Sequence, residues 1–169
     1  MKEHIKNLFN LYKQQCNIIE GINKTISSKK IRRPNFPEVI SENIVLFYLE
    51  SQTQRSTYTW NTKNGDLSKI YNNKSYKIEI KCSSSDGPLS FSPFSNFNEL
   101  YCVDATNFIN NHIKIYKING DINTLQVNKN ETFLDQCKQK RRPRISLNLI
   151  LKQLSHELIF DDCIYSLLN

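Results

Sequence analysis

Residues 65–83 read GDLSKIYNNKSYKIEIKCS, and the architecture follows from how this segment pairs with itself. Two alternating runs flank an Asn-Asn-Lys break, the pattern of two antiparallel strands joined by a tight turn. Strand side chains alternate, so in the second run Tyr76, Ile78, Ile80 and Cys82 share one face, and Lys77, Glu79 and Lys81 share the other. An acid between two bases is either a surface charge ladder or part of a reaction centre. Gly65 and Asp66 open the first run, and the hairpin brings Asp66 toward Glu79.

Working outward, the N-terminal segment has apolar residues at Ile5, Leu8, Phe9, Tyr12, Cys16 and Ile19, the spacing of a helix with one apolar stripe. A basic link, SSKKIRRPNFP, leads to Pro37, which opens a second helix, PEVISENIVLFYLES. Its stretch from Ile44 to Leu49 is apolar all round and is expected deep in the core. Residues 52–66 read as a loop, and 83–96 as a polar loop containing aromatics. ELYCVDAT and HIKIYKI read as two further strands and TLQVNK as a fifth candidate. ETFLDQCKQK reads as a short helix, RRPR as a basic break and ISLNLILKQL as a last helix; the tail, 156–169, takes no assignment. Helices, then strands, then helices predict a mixed α/β or α+β domain with a central mixed β-sheet flanked by helices.

The 169 residues suit one domain, expected over 1–169, with an N-terminal helix in 1–30 and the working core in 37–150. Hydrophobic residues, 38% of the chain, come in short runs, which predicts a folded protein. No apolar run approaches the ~20 residues that span a bilayer, and the charged N-terminus lacks a signal-peptide core. A cytoplasmic location without a membrane partner is the expectation. The five cysteines show no metal-ligand spacing. The net charge of +7 points toward an anionic partner such as nucleic acid.

Asp66, Glu79 and Lys81 form the constellation that carries chemistry. Two carboxylates a few ångströms apart repel each other, and a hard cation relieves that repulsion. Mg2+ suits them, because it takes carboxylate oxygens and keeps waters for a substrate phosphate. The Lys81 ammonium is placed to orient a water or to stabilise charge developing on phosphorus.

Asp66 followed by Glu79-Ile80-Lys81 resembles the PD-(D/E)xK nucleases, and among them the small type II restriction endonucleases. Gly65 stands where the motif name has proline. The likeness covers residues 32–150. NFPEVISENIV is similar to the acidic helix before the motif, SSSDGPLSFSP with ELYCVDA to the loop and next core strand, and ETFLDQCKQKRRPRISL to a basic C-terminal segment. The resemblance implies Mg2+-dependent, sequence-specific cleavage of double-stranded DNA, leaving 5′-phosphate and 3′-hydroxyl ends, at a short palindrome of the GCNGC kind. It also implies a homodimer, a cognate DNA methyltransferase as functional partner, and a helical glutamate beside the metal. Glu42, one turn before the apolar run, fits that role; Glu38 lies in the first turn, where the helix dipole already favours an acid.

Candidate DNA contacts fall in three basic patches: Lys29, Lys30, Arg32 and Arg33; Arg55; and Lys138, Lys140, Arg141, Arg142 and Arg144 around Pro143. Lysines would neutralise phosphates, whereas arginines can pair with guanine edges. Ser84, Ser85 and Asp86 follow the Glu79 strand and are candidates for phosphate or base contact. Phe91 and Phe94 read either as wedges or as anchors of their loop, and Tyr58 and Trp60 as packing residues. Two other readings stand beside restriction: a repair or structure-specific nuclease on the same fold, and a nucleic-acid-binding module whose Glu79 and Lys81 form only a salt bridge.

Overall fold

The computed structural model describes residues 1–53, 57–62, 65–85 and 87–169, and for 61 and 62 the backbone alone. In chain order the elements are α1 (Lys2–Thr25), α2 (Glu38–Gln52), β1 (Thr57–Thr62), β2 (Gly65–Tyr71), β3 (Lys74–Ser83), β4 (Leu89–Ser90), β5 (Glu99–Asp104), β6 (His112–Ile118), β7 (Gln126–Asn128), β8 (Glu131–Thr132), α3 (Phe133–Lys138), β9 (Arg144–Ile145), α4 (Leu147–Gln153), β10 (His156–Cys163) and α5 (Tyr165–Leu168). The expected fold class holds: a six-stranded mixed sheet, in the order β1-β2-β3-β5-β6-β10, lies among helices. β3 and β5 run parallel, and the other neighbours run antiparallel.

The hairpin that opened the reading is β2–β3, paired from Leu67↔Ile78 to Tyr71↔Lys74. Its two turn residues, Asn72 and Asn73, have φ of 50° and 59°. Asparagine tolerates this left-handed conformation, which gives the tight hairpin turn whose twist matches that of the strands. Ile78 and Ile80 enter a core shared with Phe9, Ile44 and Val103, under α1 and α2. On the other face of the sheet, Leu100, Cys102 and Ile118 pack with Leu89, Phe91, Ile145 and Ile150 from the later segments. β3 is therefore an interior strand, held on one edge by β2 and on the other by β5.

Four segments depart from the expectations or add to them. Within 52–66, read as a loop, Thr57–Thr62 is a strand on β2; Tyr58 and Trp60 pack against the core, so the Thr-Tyr-Thr-Trp alternation is structural. The segment 83–96 contributes Leu89 and Phe91, both buried, and is therefore more than a polar loop. TLQVNK supplies β7, which pairs with β8 in a separate ribbon and not in the central sheet. The unassigned tail supplies β10, paired with β6; a register shift between Leu158 and Phe160 interrupts its alternation and hides the strand from a period-2 reading. α3 starts at a capping box formed by Thr132 and Asp135. Among the described residues, no helix is long and apolar enough to cross a membrane.

Candidate active site

Asp66 is placed by the backbone on both sides of it. Gly65 has φ of +130°, and a Cβ there would sit 3.1 Å from the Ile78 carbonyl oxygen, so only glycine fits this entry to β2. One residue on, the Ile80 N–H donates to Asp66 Oδ2 at 2.7 Å, tying the carboxylate to β3. On β3 the Lys81 ammonium lies 2.6 Å from Glu79 Oε1 and 5.6 Å from the centroid of the Phe91 ring. Glu42 reaches in from α2, and the Trp60 indole N–H donates to its Oε2 at 2.6 Å. That bond was not legible in the sequence, where Trp60 read as packing. The signal available was the alternation that puts Trp60 on the core side of β1.

Asp66, Lys81 and Glu42 face a cleft of about 430 Å³, lined also by Arg32, Glu38 and Arg144, together with Ser83 to Ser85 and the segment from Gly87 to Ser90. Glu79 stands just outside that lining, its side chain 13% exposed and held by Lys81. The Glu42 carboxyl is pushed above its ordinary range, first by burial and then by the charges of Asp66 and Glu38, against the Trp60 hydrogen bond and Lys81. The Asp66 carboxyl is pushed up likewise, by burial first and then by Glu79 and Glu38, against the Ile80 amide and Lys81. Several acids thus feel each other in a partly dry space with one ammonium among them. Among the described residues, no group of three or more His, Cys, Asp or Glu side chains is placed to hold a metal ion.

Two of the predicted DNA contacts, Arg32 and Arg144, line this same cleft. Arg144 comes there on a short ribbon: β9 pairs with β4, Ser90 opposite Arg144, and the Phe91 N–H donates to the carbonyl of the buried Pro143 at 3.0 Å. The basic C-terminal segment is thereby fastened to the loop that follows β3. Ser84 and Ser85 line the cleft as well; the Phe36 N–H donates to Ser84 Oγ at 3.3 Å, and the Ser83 hydroxyl donates to the Ser85 carbonyl at 2.8 Å. Other basic residues have local partners. Arg33 pairs with Glu20 at 3.0 Å. Lys30 donates to carbonyls of the last turn of α1 and of Ile26 just beyond it. Arg141 pairs with Glu131, whose carboxylate also accepts from Asn128, Gln136 and Gln139. Lys138, Lys140 and Arg142 are exposed. Phe91 is fully buried and anchors its loop, while Phe94 is 75% exposed. Arg55 and Asp86 lie outside the described residues.

A mixed sheet carrying an acidic cleft with a lysine inside it and arginines at its walls suits an enzyme that handles phosphodiesters, and comparison with known proteins gives the class: type II restriction endonuclease, a site-specific nuclease acting on DNA. The chain belongs to the Bsp6I restriction endonuclease family, whose family model matches residues 1–153. It is 32% identical over 129 residues, 75% of this chain and 70% of the relative, to the Type II restriction enzyme Bsp6I of Bacillus sp. (strain RFL6). No solved structure matches it.

Proposed function

We propose that the enzyme is a PD-(D/E)xK nuclease that hydrolyses phosphodiester bonds in double-stranded DNA at a short palindrome of the GCNGC kind, with Asp66 and Glu79 holding Mg2+. The observation that carries this reading is the meeting of Asp66, Glu42 and Lys81 in one cleft, with Glu79 ion-paired to Lys81 at 2.6 Å beside it; burial first, and the neighbouring acids after it, raises Asp66 and Glu42. Hard carboxylate oxygens gathered in a partly buried cleft are a donor set that fits Mg2+. When bound, the ion supplies Lewis-acid stabilisation of the charge developing on the phosphate. Asp66 and Glu79 would hold the ion, and Lys81 would orient the attacking water and stabilise the same charge. Glu42 supports the site, aimed by Trp60. Arg32 and Arg144, which line the cleft, hold phosphates, while Ser84, Ser85, Asp86 and Arg142 contact the duplex, as does Arg141 once it leaves Glu131. A palindromic target is met by a homodimer, host DNA is protected by a cognate methyltransferase, and the enzyme works in the cytoplasm.

Incubation with plasmid DNA tests this directly. With Mg2+ the enzyme gives a reproducible set of discrete fragments with 5′-phosphate ends, and with chelator none. Fragments that form undiminished in chelator, or random degradation with Mg2+, would overturn the proposal.

Trp60 offers a finer test of Glu42. Trp60→Phe keeps a ring in the core and removes the N–H that holds Glu42 Oε2. A hydrogen bond to a charged group is worth about 1.5–3 kcal/mol, so cleavage falls roughly ten- to a hundredfold. Cleavage kinetics at equal melting midpoint check it; an unchanged rate removes Glu42 from the machinery.

A further inference from the structure

α1 has two apolar stripes; its own fold buries one and touches the other at Leu8, which packs partly against the core. Ile5, Phe9, Tyr12 and Cys16 are buried in the core. A second run, Leu8, Leu11, Gln15, Ile18 and Ile22, repeats at alternating intervals of three and four residues, the a/d spacing of a helix–helix seam. Leu11 is 62% exposed, Ile18 63% and Ile22 42%. The charges of the helix respect that seam. Lys2, Glu3, Lys6, Lys13, Glu20 and Lys24 all fall at b, c and f positions, off the seam; the a, d, e and g positions carry none, and the g positions are Asn7, Gln14 and Gly21.

We infer that this face of α1 is the surface on which a second copy of the chain docks. Three observations select a like copy over another partner. The chain carries a net charge of +7, so two copies repel wherever their basic surfaces meet, and the charge-free strip is where they can approach. The strip is centred on one polar residue, Gln15, with Leu8 and Leu11 on one side and Ile18 and Ile22 on the other. A two-fold pairing through its middle sets apolar against apolar and leaves each Gln15 amide able to donate to and accept from its counterpart, which fixes the register. An added Cβ at Gly21 would meet nothing within 4 Å, so the helix backbone is open to close approach there.

The strip also sets the strength of the pairing. The strip from Leu8 to Ile22 is about 22 Å long and about 10–12 Å across, which offers roughly 250 Å², about a third of the ~800 Å² per partner of a standard interface. The free copies therefore associate weakly, and a shared duplex completes the association. The inference rests on the restriction reading for this DNA-bound pairing only, since a palindrome has two equivalent strands to cut.

Sedimentation velocity of the full chain, without DNA or metal, tests the surface apart from the chemistry. The wild type shifts from monomer toward dimer as concentration rises over about two decades into the ~100 µM range. The double variant Leu11→Glu/Ile18→Glu weakens the dimer at least about 100-fold, because two carboxylates per copy replace two contacting side chains. Its far-UV circular dichroism and melting midpoint stay those of the wild type, since both positions are exposed. Gln15→Leu has the opposite effect and tightens the dimer. A wild type that stays monomeric throughout, or a folded double variant that dimerises like the wild type, overturns the inference. If the dimer forms and responds to these variants but plasmid is not cut with Mg2+, the nuclease assignment fails and the interface stands.

Discussion

Lys81→Ala loses DNA cleavage by a factor of about 10²–10³ while still binding DNA. The expectation follows from position. Lys81 lies on the interior strand β3, its ammonium 2.6 Å from Glu79 and in the cleft with Asp66 and Glu42, where the charge forming on phosphorus must be met. In a partly desolvated cleft an ammonium stabilises that charge more than it would in water. Lys81→Arg keeps the charge but replaces a compact ammonium with a planar fork, and most of the loss remains. Lys77→Ala is the control: Lys77 lies on the same strand but outside the cleft lining, and its removal changes cleavage little. Single-turnover cleavage with a parallel binding assay measures all three. Wild-type cutting by Lys81→Ala would falsify the assignment of this strand as the reaction centre.

The second large effect has two signs. Asp66→Asn lowers cleavage by about 10³ or more, because the metal loses a negative ligand. The same change raises the stability of the metal-free protein. The new side chain still accepts the Ile80 N–H through its amide oxygen, and the substitution removes a charge that burial, Glu79 and Glu38 all disfavour. A carboxyl whose pKa is higher folded than unfolded costs more to ionise in the fold. Its contribution to stability is thus greatest below the unfolded value of about 4, and is lost as pH rises through the folded value. The advantage of Asp66→Asn is accordingly absent at low pH, grows through that window and levels off above it. Urea unfolding at several pH values without metal follows this difference. Added Mg2+ then stabilises the wild type, by about 1.4 kcal/mol at ten times its dissociation constant, and does not stabilise Asp66→Asn. A variant no more stable than wild type at neutral pH, and equally stabilised by Mg2+, would remove Asp66 from the site.

What could be read from the chain, and what could not, divides along physical lines. The β2–β3 hairpin was legible because its signals are local: alternation in Tyr76-Lys77-Ile78-Glu79-Ile80-Lys81 and a turn of two asparagines that accept positive φ. The same locality marked Asp66, Glu79 and Lys81 as one group. β10 was not legible, and β1 showed only in the short alternation of Thr57 to Trp60, since the evidence for both is mainly non-local. β1 is a strand because β2 offers it an edge, and β10 because β6 does, across a register shift that breaks its own pattern. The hydrogen bond from Trp60 to Glu42 joins residues 18 apart on a helix and a strand, and no spacing rule connects them. Basic residues gave the weakest guidance. Composition showed their excess, but only the fold separates Arg32 and Arg144, which line the cleft, from Arg33 and Arg141, which are ion-paired to acids beside their own segments.

β3 is gripped on both edges, by β2 and by β5, whereas Arg144 hangs from a two-residue ribbon outside the central sheet. The two parts are therefore open to inheritable change to different degrees. A substitution near Arg144 or in the loop before β4 leaves the register of β3 untouched. A substitution within β3 disturbs two ladders at once. A lineage built on this frame can drift in the outer ribbon, and so in the surface it offers to a duplex, while the inner strand is kept in place by its own neighbours.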